Sequence, residues 1–115
     1  MTNYQLNIPD LSESPHQIVP YELGTETYFF EYYWSARHDM AYISIYLFDD
    51  DIKTYLCKKI ALINMVDISR YIINDRWVGG LFLMSDKSYS DGYNMITISE
   101  DFYLLYNDTY VSKHV

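Results

Sequence analysis

Residues 27–48 read TYFFEYYWSARHDMAYISIYLF, and the order of side chains in this stretch decides the fold. In an extended chain successive side chains point to opposite faces. Over 27–34 that rule puts Tyr28, Phe30, Tyr32 and Trp34 on one face and Phe29, Glu31 and Tyr33 on the other. Over 40–48, Ala41, Ile43, Ile45 and Leu47 alternate with Tyr42, Ser44, Tyr46 and Phe48. Aromatic and β-branched residues fit a pleated surface, and the polar segment Ser35 to Asp39 turns the chain between the two runs. Strands over 27–34 and 40–48 are therefore expected. The first is apolar on both faces, so it is either covered on both sides or shows an aromatic face to a partner.

Working outward, Asp49-Asp50-Asp51 closes a hairpin, because Asp tolerates left-handed backbone and its side chain bonds nearby groups. The return strand covers about 52–56. On the N-terminal side, Tyr4, Leu6 and Ile8 alternate with Gln5 and Asn7 until Pro9 removes a ladder donor, which gives an edge-type strand over 3–8. Asp10 to Pro15 turns the chain. A weaker strand over 18–23, interrupted by Pro20, pairs through a tight reversal at Gly24 with the strand that follows. Further along, 58–63 is ambiguous between strand and helix. Asn64 is a capping residue, and Ile68, Tyr71 and Ile72 stand at i, i+3 and i+4, so one short helix is expected near residues 65–73, broken by Asn74-Asp75. An apolar strand over 77–84 contains Gly79-Gly80, the mark of a bulge or a close backbone approach. A surface loop over 86–92, strands over 93–99 and 102–106, and a flexible tail over 107–115 complete the chain. The fold class is mainly β (α+β): a small antiparallel β-barrel or sandwich in a single β-rich domain, residues 1–115.

The chain has 115 residues, half of them hydrophobic and 18% aromatic, with fourteen tyrosines. That is enough to bury one core without metal or disulfide support, and too little for two. Cys57 is the single cysteine, so no internal disulfide can form, and no signal-type leader precedes Tyr4; a reducing cytoplasm is the expected site of synthesis. Apolar runs such as Ile60 to Ile63 fall far short of the ~20 residues that span a bilayer as a helix. Eight basic residues against sixteen acidic ones give a formal charge of −8. Lys58-Lys59 is the one adjacent basic pair, so direct nucleic-acid binding is not expected.

Residues that carry chemistry are scattered. His16, His38 and His114 are far apart, and Cys57 has no metal-ligand spacing to any of them. The three aspartates at 49–51 lack the alternating ligands and distant Glu of a calcium loop. Gly79-Gly80 is not followed by the Lys-Ser/Thr of a phosphate loop, and Ser69 and Ser85 lack a nucleophile-elbow context. No catalytic residue, cofactor or metal is expected, and the chain reads as a non-enzyme. The positive signal is aromatic: Tyr28, Tyr32, Tyr33, Trp34 and Trp77 are candidate interface residues, because Tyr and Trp serve cores and interfaces alike. Asp49, Asp50 and Asp51 join them as an acidic turn.

The order of these pieces resembles the small baseplate plug family of contractile-tailed bacteriophages. The resemblance rests on Tyr33-Trp34 with Tyr42-Ile43-Ser44-Ile45-Tyr46, the turn Asp49-Asp50-Asp51, Ile60-Ala61-Leu62, Asp67-Ile68-Ser69-Arg70-Tyr71, Val78-Gly79-Gly80-Leu81-Phe82-Leu83 and Phe102-Tyr103-Leu104-Leu105-Tyr106. It spans nearly the whole chain. What it implies is a virion structural protein of the tail baseplate, a plug or hub-associated subunit filling the tube lumen. Its partners would be hub, spike or tail-tube proteins, and it would be oligomeric in the assembly. The alternative reading is a small acidic phage-encoded inhibitor that binds a host nucleic-acid enzyme by presenting carboxylates in place of phosphates.

Overall fold

The computed structural model describes residues 3–63, 66–72, 76–85 and 93–109. The strands among them are β1 (Asn3–Asn7), β2 (His16–Leu23), β3 (Glu26–Ser35), β4 (Met40–Asp49), β5 (Ile52–Ala61), β6 (Gly80–Ser85) and β7 (Phe102–Asn107). They form two antiparallel sheets, ordered β2-β3-β4-β5 and β1-β7-β6. The described strands of one sheet do not pair with those of the other, so the architecture is sandwich-like and the barrel alternative is not realised. Both outer strands of the larger sheet suit an open edge: β2 carries Pro20, which has no N–H to donate, and β5 is kinked by register shifts opposite Ile43, Ile45 and Tyr46.

Strand β3 faces inward with Tyr28, Phe30 and Tyr32, and β4 with Ala41, Ile43, Ile45 and Leu47. Leu6, Leu81, Leu83, Phe102, Leu104 and Tyr106 of the smaller sheet meet them in one continuous core. Leu11, in the turn after β1, is fully buried as well, a contribution that its polar neighbours conceal in the sequence. Tyr32 has 0% of its surface exposed, and a buried hydroxyl costs free energy unless it is bonded. Its OH donates to Tyr21 OH at 2.9 Å, and Tyr21 donates onward to the Asn7 carbonyl at 2.6 Å. This relay runs from β3 through β2 to β1 and so ties the two sheets together. A second tie is Arg76, whose guanidinium reaches Glu26 at 2.7 Å and also Asp49, joining the two hairpin ends of the larger sheet to the segment that enters β6.

The hairpin turns follow the residue chemistry. Asp49 pairs with Ile52, so Asp50 and Asp51 form a two-residue loop, and both have positive φ (48° and 70°), as a type I′ turn requires. Strand β5 continues to Ala61 rather than stopping at Leu56, so the ambiguous stretch 58–63 is strand up to Ala61 and irregular at Leu62 and Ile63. The continuation needs an irregularity: Lys59 sits at φ 49°, and its N–H, pulled off the ladder, donates to Ser44 Oγ at 2.8 Å.

Two expected elements change type. The helix placed near 65–73 is a single 3₁₀ turn, Ile68–Tyr71; Asn64, Met65 and Ile73 to Asp75 lie outside the described residues. Its cap is Asp67, whose Oδ1 accepts from Ser69 N at 3.0 Å, and Ile72 N closes the turn on Ser69 O at 2.9 Å. Ile68 and Ile72 face the core, whereas Tyr71 is exposed. The strand expected over 93–99 is instead a coil leading into α1 (Thr97–Glu100). Asn94 Oδ1 accepts from both Ile96 N and Thr97 N at 2.9 Å, and Asn94 N donates to Thr97 Oγ1 at 2.8 Å, a local network that competes with a sheet ladder. Asn107, expected in the tail, closes β7 opposite Asn3 and Gly80; the loop over 86–92 and residues 110–115 lie outside the described residues.

Gly79 is the position where glycine is required. It precedes β6 with φ 108°, and a Cβ there would lie 2.5 Å from the Asn107 carbonyl oxygen and 2.9 Å from the Tyr106 ring. Gly79→Ala is expected to lower stability by about 1–3 kcal/mol, measured by chemical denaturation; an unchanged midpoint would contradict the close approach. Cys57 is buried, and burial pushes its thiol up to about 12. A disulfide reagent at mildly alkaline pH should leave it unmodified in the folded protein and label it fully once denaturant is added.

Candidate interface

The candidate aromatic residues separate into two groups. Tyr28, Tyr32 and Trp77 are buried in the core. Trp77 packs edge-on to Tyr28 at 5.2 Å and Tyr106 at 5.5 Å, and its Nε1 donates to Gly79 O at 3.1 Å, while Tyr28 OH donates to the Arg76 carbonyl at 2.7 Å. These three hold the sandwich together and offer little surface. Trp34 is half-buried at the end of β3, edge-on to Tyr93. The Tyr93 hydroxyl accepts from Ala41 N at 3.0 Å and donates to Leu62 O at 2.6 Å. Tyr33 stands on the opposite face of β3, stacked on His16 at 4.8 Å. Of the acidic turn, Asp49 is engaged with Arg76 and with Thr54 Oγ1 at 2.9 Å, and Asp50 and Asp51 are exposed at its tip.

The outward face of the larger sheet supplies what the core residues do not. In register across it stand Phe29 and Tyr46, then Tyr55; Glu31 and Ser44; and Tyr33 and Tyr42. Phe29 stacks on Tyr46 at 5.3 Å, Phe48 meets both rings edge-on at 5.2 and 5.6 Å, and Tyr55 lies 5.3 Å from Tyr46. Phe48 is 47% exposed and Ile18, at the β2 margin, 45%. Cations stand over these rings: Lys53 Nζ is 4.4 Å from the Tyr46 centroid, Lys58 Nζ 4.7 Å from that of Tyr55, and Lys59 Nζ 6.0 Å from that of Tyr33. Phe29, Tyr46, Phe48, Tyr55 and the three lysines are not among the interface candidates that the sequence offers. The signal for them is the pair Glu31 and Ser44, which mark the same parity on both strands as the outward one.

Glu31 sits at the centre of this face and is nevertheless only 6% exposed. Its carboxylate accepts from His16 Nε2 at 2.9 Å and from Tyr55 OH at 2.8 Å. Burial works to raise its pKa, but these hydrogen bonds, with Tyr33 and the nearby Lys53, outweigh burial and hold it below the ordinary glutamate value. The bond to Glu31 in turn pushes the Tyr55 phenol up to about 12. Because the folded-state value of Glu31 is depressed, its contribution is complete above the ordinary glutamate range and disappears as pH falls through the lowered value. Glu31→Gln should therefore cost about 1 kcal/mol near neutral pH, and the gap between the two proteins should close on acidification, as read from denaturation curves at a series of pH values.

Open clefts mark the surface of the described residues. One, about 470 Å³, lies beside the β2–β3 turn, and the Arg76 and Glu26 side chains on its wall are bonded to each other. His16 and His38 lie on β2 and in the β3–β4 turn, His38 Nδ1 being 3.1 Å from Ser35 Oγ, and His114 is outside the described residues. Among the described residues no three His, Cys, Asp or Glu side chains gather at metal-binding distance. No described helix is long and apolar enough to cross a membrane. No curated protein matches the chain. Residues 4–109 match the family model described as cyanophage baseplate Pam3 plug gp18, nearly the full length of the fold. The chain belongs to this baseplate plug family and is a structural protein of the phage tail baseplate.

Proposed function

We propose that this chain acts as a plug or hub-associated subunit that fills the lumen of a contractile tail and holds its neighbours by surface contact rather than by chemistry. The family match over residues 4–109 carries the reading. The fold supports it: an aromatic sheet face of this kind suits a protein partner, with aromatic residues enriched in such contacts. The partners in this reading are hub, spike or tail-tube proteins, with several copies in the assembly, and the protein is not an enzyme. The net charge of −8 keeps DNA from adhering to a part that sits on its path.

The inhibitor alternative draws less support from the placement of acids. Asp49 and Glu26 are committed to Arg76, and Glu31 is buried with its oxygens bonded to His16 and Tyr55. These carboxylates serve the chain itself. Quantitative mass spectrometry of purified particles tests the proposal: a fixed ratio of about three or six copies per particle, matching closed tail symmetry, is expected. Absence from particles alongside abundant expression in infected cells would transfer the assignment to the inhibitor.

A further inference from the structure

We infer that the outward face of the β2-β3-β4-β5 sheet is the docking surface for an acidic protein surface on a neighbouring subunit of different sequence, with Lys53, Lys58 and Lys59 as its cationic contacts. This deepens the structural reading above and rests on it.

The first observation is charge placement. The whole chain has eight basic residues against sixteen acidic ones, yet three of the eight lie on one strand, β5. All three are exposed, and their ammonium groups lie over Tyr46, Tyr55 and Tyr33, rings of one sheet face. The carboxylate at the centre of that face, Glu31, is bonded to His16 and Tyr55 and is almost wholly covered. A positively charged apolar strip is thus set into a protein whose overall charge is negative. Complementary charge steers association and fixes register, so the strip selects a partner that presents carboxylates around an apolar centre.

The second observation weighs against the simplest other occupant. A two-fold contact between copies through this face, with its axis across the strands, would set the β5 lysines of one copy against those of the other. Like charges brought together in that way disfavour the contact. Single-stranded nucleic acid also stacks on aromatic sheet faces edged with lysine. The rings here, however, pack on one another, with Tyr46 buried and Phe29 and Tyr55 half-buried, and the overall charge of the protein is negative, which opposes a phosphate chain.

The test replaces exposed Phe48 with a photo-crosslinking phenylalanine analogue in the full chain, supplied during infection, followed by irradiation of purified particles. A crosslink to a different baseplate or tail protein, at a peptide containing Asp or Glu, is expected. The variant Lys53→Glu/Lys58→Glu/Lys59→Glu should then lose that crosslink and enter particles about tenfold less often. Lys→Gln changes at the same positions should give a smaller loss, and thermal unfolding checks that each variant is folded. A crosslink to DNA, to a second copy of this chain, or to a peptide without acidic residues would overturn the inference. So would undiminished incorporation of the charge-reversed chain. Unaltered protein missing from particles would count against the structural reading itself, and with it this inference; the unaltered control separates the two failures.

Discussion

The register of β3 against β4 is the constraint on which the molecule depends. With Tyr32 opposite Ile43 and Phe30 opposite Ile45, the largest inward side chains of both strands reach one layer, and the smaller sheet has a surface to close over. A slip of one residue would exchange the faces of β3, putting Phe29, Glu31 and Tyr33 into the core. Glu31 would then lose the His16 and Tyr55 groups that keep it charged, so the register is held by a polar penalty on one side and by packing on the other. The bonded glutamate therefore serves the fold as well as the surface.

Much of the strand plan was legible from residue order, because period-two alternation over 27–34 and 40–48 is unambiguous and Gly24 and Asp50-Asp51 suit the turns they make. What alternation cannot say is which parity faces inward when both are aromatic. That choice depends on where the second sheet lies, and its strands come from opposite ends of the chain. Hence Tyr28, Tyr32 and Trp77 read as interface candidates although they are core, while Phe29, Tyr46 and Phe48, on the outward parity, are not among the candidates. The two misread elements failed for local reasons. Asn94 folds its own side chain onto the backbone of the next turn, and Asp67 rather than Asn64 caps a turn too short to build a helix. The family assignment fared differently: no catalytic residue marks it, and it rests on an order of short apolar segments that a model of the whole family matches over residues 4–109.

The two faces of the larger sheet also differ in how their polar groups are satisfied. Inside, hydroxyls are joined in short chains, Tyr32 to Tyr21 and Tyr21 on to the Asn7 carbonyl. Outside, one carboxylate gathers several donors, and cations rest on π-clouds rather than on carboxylates. Such an outer layer is ordered before any partner arrives, which reduces the side-chain entropy lost on association.

Asn3 pairs with Asn107 and Asn7 with Tyr103, so both ends of the described fold leave from one corner of the smaller sheet. Tension applied between those ends would load a single rung of an antiparallel ladder and peel β1 away pair by pair, the weakest way to pull a strand. Pressure across the sandwich meets close-packed side chains of low compressibility instead. As a mechanical part, the domain is stiff when squeezed between its faces and weak when drawn from its ends, so a load borne through it is best delivered face to face.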